Sequence, residues 1–278
     1  MSTLLSAETN RAAFADLGER AGYFPVRGAH LYTMLHQAAE PVARVLIAGP
    51  FASERHVAYH SLVRWARYLV RHRIEVLRYD YRGTGESTGC FEDTRFEQWY
   101  EDSRMIAEWI ANRAPSVPLV LHGIELGAII AMRLFCDGLG DALLNWSPPA
   151  SANDVLRSDL KRRAGLEQLY MPPESRKSFA QSVNELEQGQ AVEVEGYLWP
   201  AHLWSDSLSF QMPQCPDASD DGPNGQNRPS KIVQFGKSAG VVLSTPYPRY
   251  PVVKDLTLLY KETLDWIAEA LRLPLGLR

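Results

Sequence analysis

The segment LVLHGIELGAIIAMRLF at 119–135 constrains this chain more than any other. A short apolar strand pattern runs into Gly123-x-Glu125-x-Gly127, and a helical pattern begins at once. Glycine on each side permits a turn so tight that side chains there would strike the neighbouring strand and helix. The central residue then stands at a helix N-terminus, where negative charge is stabilised. The residue in that place is a glutamate.

The flanking segments supply the sheet. Residues 24–36 (FPVRGAHLYTMLH) alternate around an RGA turn and predict an antiparallel hairpin. Strand patterns at 43–49, 75–79, 118–122 and 142–146 alternate with helical patterns at 56–72, 97–113 and 128–136. Short connections join them, the order of a parallel, doubly wound α/β sheet. From 147 the regularity stops. Helical stretches at 152–170 and 175–188 and an alternating, strand-like VEVEGYLW at 192–199 read as an inserted cap or lid. Residues 213–230, rich in Pro, Gly, Asn, Asp and Ser, read as a mobile loop that completes a cap insertion over 147–230. Two short strands (231–235 and 240–244) and a helix (254–272) close the chain, and residues 1–20 read as a short helix or tail. The expectation is one domain over 1–278.

Composition excludes several classes. The chain is 45% hydrophobic and 22% charged, with a net charge of −4. Nothing in that balance attracts nucleic acid or an anionic membrane. There is no apolar run of membrane-spanning length, and the first twenty residues lack a basic start leading into an apolar stretch. The three cysteines, Cys90, Cys136 and Cys215, are widely spaced and odd in number, which suggests neither a disulfide framework nor a zinc site. A cytoplasmic protein is expected. No dinucleotide, P-loop or metal-ligand spacing is present, so no cofactor and no metal are expected.

With Asp-x-Arg-Gly-x-Gly-x-Ser at 80–87 ahead of the glycine-flanked turn, the chain resembles the α/β-hydrolase superfamily over nearly its full length. More narrowly it is similar to the hydrolases associated with exosortase A systems. The stretches that carry this are GPFASER (49–55), RYDYRGTGESTG (78–89), FEQWYEDSRMIAEWI (96–110), LNWSPPASANDVL (144–156) and VEVEGYLW (192–199). The resemblance implies a serine where Glu125 stands, held in a strained turn that projects it above the C-terminal edge of the sheet, an oxyanion hole from the backbone N–H groups of Phe51 and Leu126, and a histidine after the last strand. That last region, 240–255, has no histidine; the seven are at 30, 36, 56, 60, 72, 122 and 202. A Ser-His-Asp triad is therefore absent. Asp206 and the acids of 217–221 are only loose candidates for the acid.

Glu125 then stands as nucleophile, as general acid or base with a raised pKa, or as the anchor of a cationic ligand group. His202, in the cap, is the candidate substitute base. His56 reads as a solvent-facing helix residue, and His122 as a core histidine bonded to backbone. Arg82 and Asp80 read as supports of their loop. Glu54 reads first as a charge complement to the N-terminus of the following helix; close to Glu125 it would share a proton with it. Trp199, Trp204, Phe210, Tyr247 and Tyr250 fall where the cap and the last loop roof a pocket. They read as core packing or as walls for an apolar or sugar-like ligand. The functional expectation is an enzyme acting on a small ester-, thioester- or acyl-type substrate through Glu125. The alternatives are a lyase or cyclase with Glu125 as base, and a hydrolase fold without turnover that binds a ligand or protein. An ordinary esterase using Ser87 or Ser147 is the weakest reading, because neither lies in such a turn.

Overall fold

The computed structural model describes residues 18–215, 228–233 and 256–274. The strands are β1 (Glu19–Val26), β2 (Ala29–His36), β3 (Ala43–Ala48), β4 (Ile74–Tyr79), β5 (Leu119–Ile124), β6 (Ala142–Trp146), β7 (Val192–Val194), β8 (Tyr197–Trp199) and β9 (Ser230–Val233). The helices are α1 (Ala52–Arg71), α2 (Phe96–Arg113), α3 (Leu126–Cys136), α4 (Ala152–Tyr170), α5 (Phe179–Glu187), α6 (Ala201–Ser209) and α7 (Thr257–Ala270).

Seven strands form one sheet in the order β1-β2-β4-β3-β5-β6-β9. The pairs β1–β2 and β2–β4 are antiparallel and the other four are parallel. Every residue of β3, β5 and β6 is buried, as expected of parallel strands covered on both faces. On one face Val45, Ile47, Val76 and Leu144 pack with Leu62 and Trp65 of α1 and Tyr260 and Ile267 of α7. On the other, Leu46, Leu77 and Leu121 pack with Trp99 and Ile106 of α2, Ile129 of α3 and the cap residues Leu156 and Leu203.

This order positions the site. From β3 the chain steps to β4 on one side and later to β5 on the other. The strand order therefore reverses between β3 and β5, and a crevice opens beyond their C-terminal ends. The loop bearing Phe51 leaves β3 there, and Glu125 leaves β5.

Between β6 and β9 lie α4, α5, the hairpin β7–β8 and α6. The stretch 192–199 is a two-stranded antiparallel hairpin and not a single strand. Glu195 (φ 51°) and Gly196 (φ 87°) both adopt positive φ, which builds a tight hairpin turn of the type that suits twisted strands. The helix α6 escapes a periodicity reading because AHLWSDSLS is short and mostly polar. The second C-terminal strand (240–244), most of the loop at 213–230 and nearly all of the N-terminal segment lie outside the described residues.

The cysteine expectation is corrected. Cys136, the last residue of α3, is disulfide-bonded to Cys215, and Cys90 is the free, exposed cysteine. A separation of 79 residues hides this pairing from a spacing argument. It also removes the cysteine-based ground for a reducing compartment. Among the described residues, no helix is long and apolar enough to cross a membrane.

Candidate active site

Strand β5 ends at Ile124 and α3 begins at Leu126, so the turn between them is a single residue, Glu125. Its backbone lies at φ 52°, ψ −120°, a region that a residue with a side chain occupies only under compulsion. The compulsion is close packing. A Cβ on Gly127 would strike the carbonyl oxygens of Ala48 and Gly49, and one on Gly123 would strike Cα of Ala128 and Oδ1 of Asn145. The Glu125 N–H donates to the Trp146 carbonyl (2.9 Å), and the Ala128 N–H donates to the Glu125 carbonyl (2.9 Å), which pins the turn to β6 and to its own helix. Ala52 (φ 38°) and Ser147 (φ 49°), just past β3 and β6, are strained likewise.

The Glu125 side chain lies in the field of two further carboxyl groups, Glu54 and Asp159, and of one guanidinium, Arg162, which also holds Glu195. Arg162, on α4, is the hub. Its Nε and Nη2 donate to both oxygens of Glu195 (2.8 and 2.9 Å), and Nη2 also reaches Ser53 Oγ (3.0 Å). Its Nη1 pairs with Glu54, and Asp159 Oδ1 lies 3.2 Å from Nη2. Two carboxyl oxygens in this cluster, Glu54 Oε2 and Asp159 Oδ2, are buried without a hydrogen-bond partner.

One arginine cannot keep four acids ionised in a desolvated space. Glu195 holds its charge: burial opposes this, but hydrogen bonds from Arg162 and Ser53 keep its pKa below the usual value. Burial also works against the Arg162 charge, yet the pairings with Glu195, Asp159 and Glu54 outweigh it and raise its pKa. The other three acids shift the opposite way. Burial raises Glu54, against the pull of Arg162. Burial lifts Asp159 to about 7, reinforced by Glu54 and Glu195 and opposed by Arg162. Burial lifts Glu125 to about 8, with Glu54 and Asp159 adding to it and Arg162 opposing. Glu125 and Asp159, interacting acids that titrate near neutrality, therefore hold protons between them, and Glu54 shifts in the same direction.

Residues 40–155 match the family model described as serine aminopeptidase, S33. Alpha/beta hydrolase GrgF from Penicillium sp. sh18 superposes with a TM-score of 0.59 at 16% identity, over 91% of this chain and 99% of its own. Est1E from Butyrivibrio proteoclasticus, solved with ferulic acid bound, gives 0.59 at 15% identity, over 91% of this chain and all of its own (100%). This is an α/β-hydrolase fold. A shorter match, an α/β serine hydrolase without a lid from Xanthomonas campestris, is 24% identical with a TM-score of 0.41, and this chain covers 62% of its length. No curated protein matches the sequence.

Within this hydrolase fold the residues singled out from sequence fall as follows. Phe51 is the residue before α1, and Leu126 is the first of α3. Both sit beside the elbow, at the ends of the two strands that flank the crevice. The Phe51 ring is buried among Phe91, Phe96, Trp99 and Trp199. Glu54 is in the first turn of α1, as its helix-complement reading has it, and is also brought into the carboxyl cluster. His202 is turned elsewhere: its Nε2 lies 3.0 Å from the Thr94 carbonyl. His122 is a core residue, Nδ1 against the Leu144 carbonyl (3.1 Å), with burial lowering its pKa to about 4. His56 is exposed and meets the Tyr197 hydroxyl (3.2 Å). Trp199 and Trp204 are 1% and 4% exposed and pack inside the cap. Phe210 stacks on Phe96. Asp206 pairs with Arg95 (2.9 Å). Ser87 is tied to the Asp80 carbonyl (2.6 Å), and Arg82 is forked on Asp102 (2.9 and 2.7 Å). Tyr247, Tyr250 and the acids of 217–221 lie outside the described residues.

Asp159, Arg162 and Glu195 were not legible as site residues. One signal was available: the buried residues of α4 are Ala152, Leu156, Asp159, Leu160 and Arg163, so an acid sits on the inward stripe of a helix. Among the described residues no group of three or more His, Cys, Asp or Glu side chains is arranged to hold a metal ion.

Proposed function

We propose that this chain is an enzyme that applies acid–base chemistry to a small acyl, ester or thioester substrate, with Glu125 as the proton donor. The observation that carries the reading is the position of Glu125. A carboxyl group takes the place of the nucleophile at a strained elbow and faces Glu54 and Asp159 across one arginine. At neutral pH Glu125 is largely protonated, which suits a general acid better than a nucleophile. A carbonyl or leaving oxygen lodged against the N–H groups of Phe51 and Leu126 would receive the proton. Asp159, titrating near 7, would take up a proton from water or from the carbon beside the carbonyl. The first choice gives hydrolysis; the second gives a lyase or isomerase step. The stretches at 49–55 and 192–199 contain Ser53, Glu54 and Glu195, and they support a place among the hydrolases associated with exosortase A systems. A cytoplasmic site of action remains part of this proposal.

The deciding experiment sets wild type beside Glu125→Gln on short acyl esters, thioesters and a haloalkane. Turnover in the wild type that falls about 10²- to 10⁴-fold in the variant supports a glutamate-dependent acid. Equal rates in both, or no rate above buffer in either, favour the second reading, a binding protein without turnover. The Arg162 contacts give that reading its support, because they also suffice to hold the cap to the core.

A further inference from the structure

A second candidate site lies apart from the carboxyl cluster. A cavity of about 500 Å³ opens between β2, the end of β4 and the first turns of α1, within the size range of small-ligand sites. Its walls include the rings of Tyr32 and Tyr59, and its charged residues are Arg55, Arg78, Asp80 and Glu86.

The charges differ in how they are matched. Arg55 is forked on Asp80 (2.9 and 2.6 Å), so those two neutralise each other. Arg78, half-buried on β4, has no carboxylate within pairing distance among the described residues. Its Nε donates to His36 Nε2 (3.0 Å), and its guanidinium lies 5.3 Å from the centre of the Tyr59 ring. His36 is buried; burial and Arg78 together hold its pKa down at about 4, against the pull of Glu19. Its Nε2 is therefore a neutral acceptor, while Nδ1 carries the proton toward Glu19 (3.1 Å). Glu19 is itself forked on Arg67 (2.6 and 3.0 Å). The acid on the far side of His36 is thus already matched, and a neutral imidazole separates it from the arginine. What Arg78 offers the cavity is a cationic fork with unfilled donors, flanked by two phenol rings. Glu86, across the cavity, is exposed to water and answers it weakly.

We infer that this cavity binds a small organic anion, a carboxylate or a phosphomonoester, whose head group is forked on Arg78 and whose planar apolar body lies against Tyr32 and Tyr59. A guanidinium matches either head group in two parallel hydrogen bonds. The site is independent of the elbow.

The test is a ligand-observed NMR titration with benzoate, phenyl phosphate and neutral benzamide. It uses wild type, Arg78→Met, Arg78→Lys, Tyr59→Ala and Glu125→Gln. Saturable binding of either anion at millimolar concentration or below, with benzamide at least tenfold weaker, is expected. Arg78→Met should weaken the anion at least tenfold, and Arg78→Lys should restore part of the loss. Tyr59→Ala, at a residue 47% exposed and so without risk to the core, should weaken it severalfold. Glu125→Gln should bind as wild type does, which separates this site from the elbow. Benzoate alone or phenyl phosphate alone would each support the proposal and name the head group. Benzamide binding as well as the anions, Arg78→Met binding unchanged, or no saturable binding of either anion overturns it.

Discussion

At the scale of single residues, Glu125 is decisive, and part of it is legible from sequence. Gly123 and Gly127 announce an elbow, and the helix start places Glu125 at its apex. Its protonation state was not legible, because it depends first on burial in the folded protein and then on Glu54, Asp159 and Arg162, the last two on a helix more than thirty residues further along. That state has a measurable sign. A carboxyl group whose pKa rises from 4.5 to about 8 on folding favours the folded state in its protonated form. The stabilisation is complete below about pH 4.5 and is lost as pH rises through about 8. Glu125→Gln removes this dependence. Wild type and variant should have matching unfolding free energies near pH 4.5. At pH 9 the variant should be more stable by on the order of 2 kcal/mol, allowing for the solvent that reaches part of the carboxyl, and denaturant melts at the two pH values would show it. On the kinetic side, kcat/KM should follow a narrow bell. It should rise as Asp159 ionises near 7 and fall as Glu125 ionises near 8, and the falling limb should vanish in Glu125→Gln.

At the scale of elements, the strand–helix alternation from β3 to β6 could be read to within four residues at every boundary, because each segment has a clean period and a short connection. The cap could not. Its hairpin spends two of eight residues on a tight turn, and α6 is too short for its pattern to register. What joins these pieces to the core is Arg162, which links α4 to Ser53 and Glu54 on α1 and to Glu195 in the hairpin turn. Arg162→Met should destabilise the protein by about 3–5 kcal/mol at pH 8, because it strands buried acids without a counter-charge. The defect should shrink toward pH 5, below the titration of Asp159 near 7, and chemical denaturation at both pH values checks this. The packing of α3 on β3 makes a sharper demand. Gly127→Ala sets a methyl group against two backbone carbonyls that cannot yield, and should cost at least about 3 kcal/mol, seen as a lowered Tm or loss of soluble protein.

At the scale of the whole molecule, the reversal of strand order was implicit in the alternation, whereas the Cys136–Cys215 bond was not. Two cysteines 79 residues apart carry no spacing signature, and only the folded cap brings 215 back to the end of α3. Alkylation without reductant should mark Cys90 alone, and all three cysteines after reduction and unfolding. Reduction should lower the unfolding free energy by about 2–4 kcal/mol. The bond also gives the chain a closed circuit. Strand β6, helices α4 to α6 and the β7–β8 hairpin all lie between its two ends. A single protease cut anywhere in that circuit leaves one covalent molecule, which separates into two fragments only on a reducing gel. Uncut, the cap is part of a covalently closed loop fastened at the end of α3.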